Sequence, residues 1–591
     1  MIDEVFEIEN CVLIKYNGGA VAEIPEGVVE IGEYSFTGCE DVERVIVPSS
    51  VKRIGQQTFR GCSVLREINL PDGLERIARF AFCECGSLEK IVIPEGVTEI
   101  GNSAFRSCDM LKTASLPDSV SRIGESAFSD CTSLSSINIP KGVDVIRKRS
   151  FSSCRSLTEI ELPEGITEIC DHAFDNCAQL RSVKLPDTLV SIGKHSFSGC
   201  SALTDISIPD GVEYIGSSAF YRTPLIDNAD SDFAVVGDGI LISCKSTDET
   251  VILPEGIKTI GENAFTGNDS TRKAVLPESA VRISDFAFER CYSLESVHLP
   301  TGLEDIGSRA FIDCSALNDV VLPDGLHHIG SDAFYGTAFL AGFADDIIIL
   351  ENKYLIRAAV SCKRYEIPEG IELIADNAFL GSSAIEEIII PESVRYIGSG
   401  AFKWLTELKK VIIPDTVISV GSEGFISSSE LNAVIFPASL TLGENVFSHS
   451  SKLTLVNGDR SFSVTLTDDS GADAPVIAFA AAPDAEKFFD IAELSERVPA
   501  AVCYADMLPE CNEYLKTNIS SAIDHAVETD DTELLQKLLS FGFADEAQIQ
   551  GCIENAISAQ KHEPQVLLMR YKNDHFGEKS VDELIDSKFS L

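Results

Sequence analysis

Leu70–Pro94 reads LPDGLERIARFAFCECGSLEKIVIP, and Ile93–Pro117 continues with IPEGVTEIGNSAFRSCDMLKTASLP. The skeleton is the same and the decoration differs. Seventeen prolines, from Pro25 to Pro437, carry this skeleton along the chain. Most steps between them are 23 residues, and two, Pro209 to Pro254 and Pro323 to Pro368, are 45. Each proline is followed by a phenylalanine, 11 positions on from Phe36 to Phe425 and 10 positions on at Phe447. A fixed period of this length is the signature of a solenoid, and it has to be recognised before local structure is assigned.

Within each unit, apolar residues recur 3, 6, 11, 17, 20 and 22 positions after the proline, as in Val51, Ile54, Phe59, Leu65, Ile68 and Leu70. The last two are spaced as in a strand with one buried face. Pro-Asp/Glu-Gly then marks a turn, because proline presets its backbone angle and glycine tolerates a positive one. Ala-Phe-x-x-Cys is too short for a long helix and predicts one helical turn. No unit can bury its apolar face alone, so neighbours must stack.

The pattern LP-x-x-[LV]-x-x-I-G-x-x-A-F-x-x-C-x-x-L-x-x-I resembles the BspA-like leucine-rich repeat, known from bacterial surface antigens. The resemblance covers roughly Pro25 to Val456, about three quarters of the chain. It implies a mostly β-solenoid of about 17 units with short helical turns and a parallel sheet. It also implies a framework whose partners vary from member to member.

Three stretches depart from the period: Phe6–Gly27, Phe233–Gly256 and Asp345–Gly370. Each is an apolar run broken at Asn or Gly, then a polar gap, then the strand before Pro-Glu-Gly. They predict a capping β-hairpin over 1–24 and hairpin insertions near 225–253 and 339–367 of a solenoid spanning 25–456. Residues 457–483 are polar and small and read as a linker or terminal cap, with one strand-like stretch at Ser461–Thr467. From 484 to 591 the periodicity is helical. Ser520–Gly542 and Asp545–Gly577 each read as two helices joined by a turn, the first closed by Gly542. The pair resembles ankyrin-type helix hairpins without the T-P-L-H signature; a plain helical bundle is the alternative.

The net charge is −46 and the pI about 4.5, which argues against nucleic acid and anionic membrane as partners. No run of about 18 apolar residues is present, so no transmembrane helix is expected. The start, MIDEVFEIEN, lacks the basic segment and apolar core of a secretory signal. A cytoplasmic protein is expected, with a surface or secreted one as the alternative.

Ten of the 18 cysteines (Cys39, Cys62, Cys85, Cys108, Cys131, Cys154, Cys177, Cys200, Cys291 and Cys314) lie 14 positions after a repeat proline. Thr223, Asn268, Thr337, Ser382 and Ser428 hold the same place in other units. A site that accepts all four residue types wants a small side chain able to hydrogen-bond a turn. Such a column is expected to hold buried free thiols, since single thiols at one height converge on no tetrahedral zinc site. The acids after the proline, Glu26 and Asp72 among them, likewise supply too few oxygens for calcium, which takes roughly six to eight. His172 and His195 fall on adjacent rungs near Cys170, with Arg149 one rung earlier, where it would repel a cation. No metal or other cofactor is expected, and no catalytic motif is present.

Binding remains. Outward strand positions 19 and 21 after the proline would line a long surface suited to a protein or extended peptide. The candidate contact residues are Asn69, Ser115, Asn138, Glu161, Lys184, Ser207, His298, Ile389, Ile412 and Ile435. The last three make an apolar stripe that calls for a cover: the C-terminal helices, a second chain through self-association, or a partner. The expectation is a non-catalytic protein–protein interaction scaffold; a surface adhesin binding host or matrix proteins is the alternative.

Overall fold

The computed structural model describes residues 5–37, 39–227, 231–343, 346–437, 440–447, 452–457, 460–465, 479–480, 487–488, 491 and 494–576. The chain divides into two compact blocks. Block one holds Met1–Gly325 and Asp332–Ala341; block two holds Leu326–Ser331 and Gly342–Leu591.

Each repeat makes one rung of a β-solenoid. A three-residue strand such as Lys90–Val92 and a two-residue strand such as Glu99–Ile100 run parallel to their counterparts one rung away. Alternation is strict, so Ile91 is buried between exposed Lys90 and Val92. Between the two strands, the Pro-x-Gly turn places Gly27, Gly96, Gly165, Gly256 and Gly370 at φ of 93° to 103°. In all five cases the next rung carries Ser or Thr at the same place. Ser50 Oγ, for example, accepts the Gly27 N–H at 3.1 Å and donates to the Val28 carbonyl at 2.8 Å.

The Ala-Phe segment is made of tight turns closed by i→i+3 bonds, the spacing of a 3-10 helix. Cys83 N–H donates to Phe80 O at 3.2 Å and Cys85 N–H to Phe82 O at 3.2 Å. Left-handed residues such as Phe80 (φ 57°) and Glu84 (φ 65°) fold the segment back across the core. The phenylalanines it carries stack rung on rung. From Phe59 to Phe220 their centroids are 5.1–5.8 Å apart and nearly parallel. Each is fully buried, which is worth roughly 1.5–3 kcal/mol, with a further 0.5–1.5 kcal/mol or so for each stacked pair.

Antiparallel hairpins pair Phe6–Glu9 with Val12–Tyr16, Phe233–Val236 with Ile240–Cys244, and Ile347–Leu350 with Tyr354–Ala358. All three have a register shift at the same point of the first strand. In all three the second strand then runs parallel to the first short strand of the following rung.

In block two the repeats end in an antiparallel pair, Lys452–Asn457 with Arg460–Thr465. The helices are α1 (Leu494–Tyr504), α2 (Pro509–Glu528), α3 (Thr532–Ser540), α4 (Glu546–Ser558) and α5 (His562–Phe576). Asp531 caps α3, and Asp545 with Gln548 forms a capping box on α4. α2 packs on α3, α4 on α5, and the pairs stack through α2 on α4 and α3 on α5. A single apolar core runs from Leu355 in the repeats to Leu568 in α5. At its surface the Arg460 guanidinium forks onto Asp506 (2.6 and 3.0 Å) and also donates to the Cys503 carbonyl.

Candidate interaction surface

Between Asn69 and Ser207 the strand face of block one is mainly polar, exposed Val92 aside, and largely satisfies itself. Asn69 and Asn138 do not offer free amides. Asn69 Oδ1 accepts the Val47 N–H and Nδ2 donates to the Val47 carbonyl, both at 3.0 Å. Asn138 clamps Leu116 in the same way, at 2.9 and 2.6 Å. At ordinary rungs this place is taken by the strand's own carbonyl, as when Ile93 N–H donates to Ser115 O. Glu161 and Lys184 lie opposite each other in register and pair at 2.5 Å. Ser115, Ser207 and His298 are exposed; Ser115 stands beside Val92 and His298 beside Val275. Asn138, Glu161 and Lys184 meet in one groove of about 670 Å³, with Ser136, Lys141 and Glu159 also on its walls.

In other units the same column is apolar. Ile252 and Val321 in block one are 67% and 70% exposed. In block two Ile412 pairs in register with Ile435 and keeps 52% of its surface exposed, while Ile389 and Ile435 are half-buried. The described C-terminal helices therefore leave Ile412 open. One edge of the stripe is charged. Glu386 bonds Lys363 and Lys409 on the rungs either side, and those ammonium groups pull its carboxyl down to about 2.

The cysteine column has a uniform task. Each Sγ from Cys62 to Cys200, and those of Cys291 and Cys314, donates to the phenylalanine carbonyl 26 residues earlier at 3.0–3.3 Å. These nine are buried, whereas Cys39 is half-buried and reaches the Tyr16 carbonyl at 3.8 Å. Ser382 replaces the thiol in block two and bonds the Ala358 carbonyl at 2.7 Å. Burial pushes the Cys62 thiol up to about 12 and holds Cys85 well above the thiol range. All 18 cysteines are free.

The His172 and His195 rings stack at 4.9 Å, with His172 Nδ1 3.3 Å from Asp175 and Cys170 turned to Glu168. Among the described residues, no three or more His, Cys, Asp or Glu side chains are grouped so as to hold a metal ion. Adjacent His327 and His328 diverge, one against the Tyr396 ring and the other 3.2 Å from Asp376. Periodicity alone misses one further role. Glu262 and Asp376 each stand eight positions after the proline that follows an inserted hairpin. Each reaches a side chain 48 residues back: Glu262 accepts from Tyr214 Oη at 3.0 Å, and Asp376 meets His328. Glu262 also takes the Ser217 N–H and the Lys194 ammonium, which compensates its burial. The only signal in the sequence is an acid recurring at the same place after both hairpins.

The model of the BspA type leucine rich repeat region (6 copies) matches residues 21–135, 122–248, 235–344 and 352–465. The chain belongs to this family. No curated protein matches it. Three similar solved structures are leucine-rich repeat proteins. One from Bacteroides ovatus is 26% identical, covers 70% of this chain and 92% of its own, and has a TM-score of 0.39. The T. pallidum leucine rich repeat protein is 38% identical over 30% of this chain and 88% of its own, with a TM-score of 0.29. A leucine rich cell surface protein from Faecalibacterium prausnitzii is 21% identical over 73% and 92%, with a TM-score of 0.29. No helix among the described residues is long and apolar enough to cross a membrane.

Proposed function

We propose that the protein is a non-catalytic interaction scaffold that binds a protein or extended peptide on its strand face, anchored on the Ile389–Ile412–Ile435 stripe. The observation that carries this is Ile412, 52% exposed between two half-buried isoleucines on a regular, parallel-paired surface. Apolar side chains on such a face gain from a cover, whereas the clamped and paired polar column before Ser207 has less to gain. The neighbouring Lys410, Lys363 and Glu387 supply a charged rim, the usual surround of an apolar contact. We read the stacked pairs α2–α3 and α4–α5 as ankyrin-like hairpins that offer a second surface.

The test is the triple variant Ile389→Ser, Ile412→Ser, Ile435→Ser. It should keep its circular dichroism and lose the partners that the unaltered chain captures from its native cell. Unchanged capture together with unchanged oligomeric state would overturn the proposal. Family membership favours a second reading, a surface or secreted adhesin, while the buried free thiols favour a reducing compartment. Cell fractionation separates the two.

A further inference from the structure

In block one, one step of the solenoid differs from its neighbours: the step from the rung that begins at Pro117 to the rung that begins at Pro140. Both sheets stop there. The sheet containing Arg122–Ile123 ends, and Val145–Ile146 starts another; Ser136–Ile137 and Glu159–Glu161 are likewise in separate sheets. At the preceding step Ser121 N–H donates to Thr98 O, Gly124 N–H to Ile100 O and Ser135 N–H to Lys112 O. The equivalent bonds from Asp144, Arg147 and Thr158 are missing among the described residues, and they resume at Thr167, Cys170 and Arg181. Among the described residues the turn side stays bonded, and Ser156 Oγ also donates to the Thr132 carbonyl at 2.8 Å. Ser126, Phe128 and Asp130 N–H still donate to the carbonyls of Lys148, Ser150 and Ser152 at 2.8–2.9 Å. Phe128 and Phe151 lie 5.8 Å apart, against 5.2 and 5.3 Å for the pairs on either side. The groove of about 670 Å³ lies on the strand side of this step.

Two residues account for the opening. Seven positions after the proline, or six in the last unit at Gly443, the chain carries Gly or a small residue at every unit except this one, where it carries Arg147. The backbone of the previous rung passes very close here. A Cβ built on Gly124 would lie 2.5 Å from the Asn102 nitrogen, and one on Gly193 2.5 Å from the Asp171 nitrogen. Small side chains fit with slight shifts, since Cys170 N–H still reaches Ile146 O at 2.8 Å and Ala78 N–H reaches Ile54 O at 3.2 Å. Arg147, the longest side chain at this place, has lost the bond. On the other sheet Asn138 puts its amide where its own carbonyl would pair, and the ladder beyond it stops. Asn69 does the same, but at its step the second sheet stays joined through Arg53 and Arg76. Only after Pro117 do both causes fall on one step.

We propose that this step is a built-in opening point of the solenoid: the rungs before Pro140 and those after it come apart here first, because the strand-side ladders are already broken and the Phe-side turns hold the step; when those turns part, the groove widens. In a solenoid each rung is held only by its neighbours, so one weak interface sets where the stack divides.

Native-state hydrogen exchange on the full chain tests this. Ser126, Phe128 and Asp130 amides are bonded across the step, so their exchange requires it to open. Peptides covering 124–131 should exchange roughly tenfold faster than those covering the same positions at 101–108 and 147–154. Arg147→Gly, which restores the residue found at Gly124 and Gly193, should slow 124–131 to the rate of its neighbours. The reverse change, Gly124→Arg, should accelerate 101–108. Equal protection of 101–108 and 124–131 in the unaltered chain, or an Arg147→Gly protein with unchanged exchange at 124–131, overturns the proposal.

Discussion

The strand face before Ser207 and the strand face around Ile412 are built on the same kind of interior and differ in surface chemistry. Val183 and Val411, which stand at the same place in their rungs, are both buried. One position on, Lys184 is salt-bridged to Glu161, while Ile412 stands open to solvent. The interior is constrained by stacking, because each rung must match the one before and the one after. The outer column is constrained only by what it meets. A polar column can satisfy itself along the solenoid, by amide clamps at Asn69 and Asn138 or by ion pairs. An apolar column cannot, and so points to a cover from outside.

The largest expected effect probes the two equivalent interiors. Phe151→Ala in block one and Phe402→Ala in block two should each cost about 3–5 kcal/mol of stability, the range for emptying an aromatic site in a packed core. Denaturant unfolding measures both. A several-fold difference between the two would show that the interiors are not equivalent, and the comparison would fail.

A smaller effect tests the hydrogen bond that the column supplies. Cys177→Ala leaves the Phe151 carbonyl without its thiol donor and should cost about 1 kcal/mol. Cys177→Ser should cost less, because Ser382 already performs the same task in block two. If Ala and Ser are equally tolerated, the column is chosen for size alone. Thiol labelling adds a second check. The folded chain should react quickly at exposed Cys11 and Cys362, while the nine buried column thiols, shut away from reagent, should label only after unfolding.

The smallest effect concerns pH and block two. Burial lowers the His525 pKa below its usual value of 6.5. The unfolded chain therefore takes up a proton first, so stability is lost as pH drops from about 6.5 towards the folded pKa and levels off below that. His525→Gln should remove that part of the slope between pH 7 and 5. An unchanged slope would assign the acid sensitivity of this block to other groups.

The period, the buried positions and the family were legible in the sequence, because a rung stacked on near-copies of itself leaves each interior place with one environment along the chain. The Pro-Gly turn, the phenylalanine stack and the small hydrogen-bonding residue 14 positions after the proline follow from that repetition. The candidate surface was legible only as a list of outward positions. Which of them are free was decided by contacts 22 and 23 residues apart: the Asn138 amide turned onto Leu116 and Glu161 onto Lys184. Arg147 shows the same limit. In the sequence it is one arginine in a glycine column, and only the close approach of the neighbouring backbone turns it into an opening between rungs.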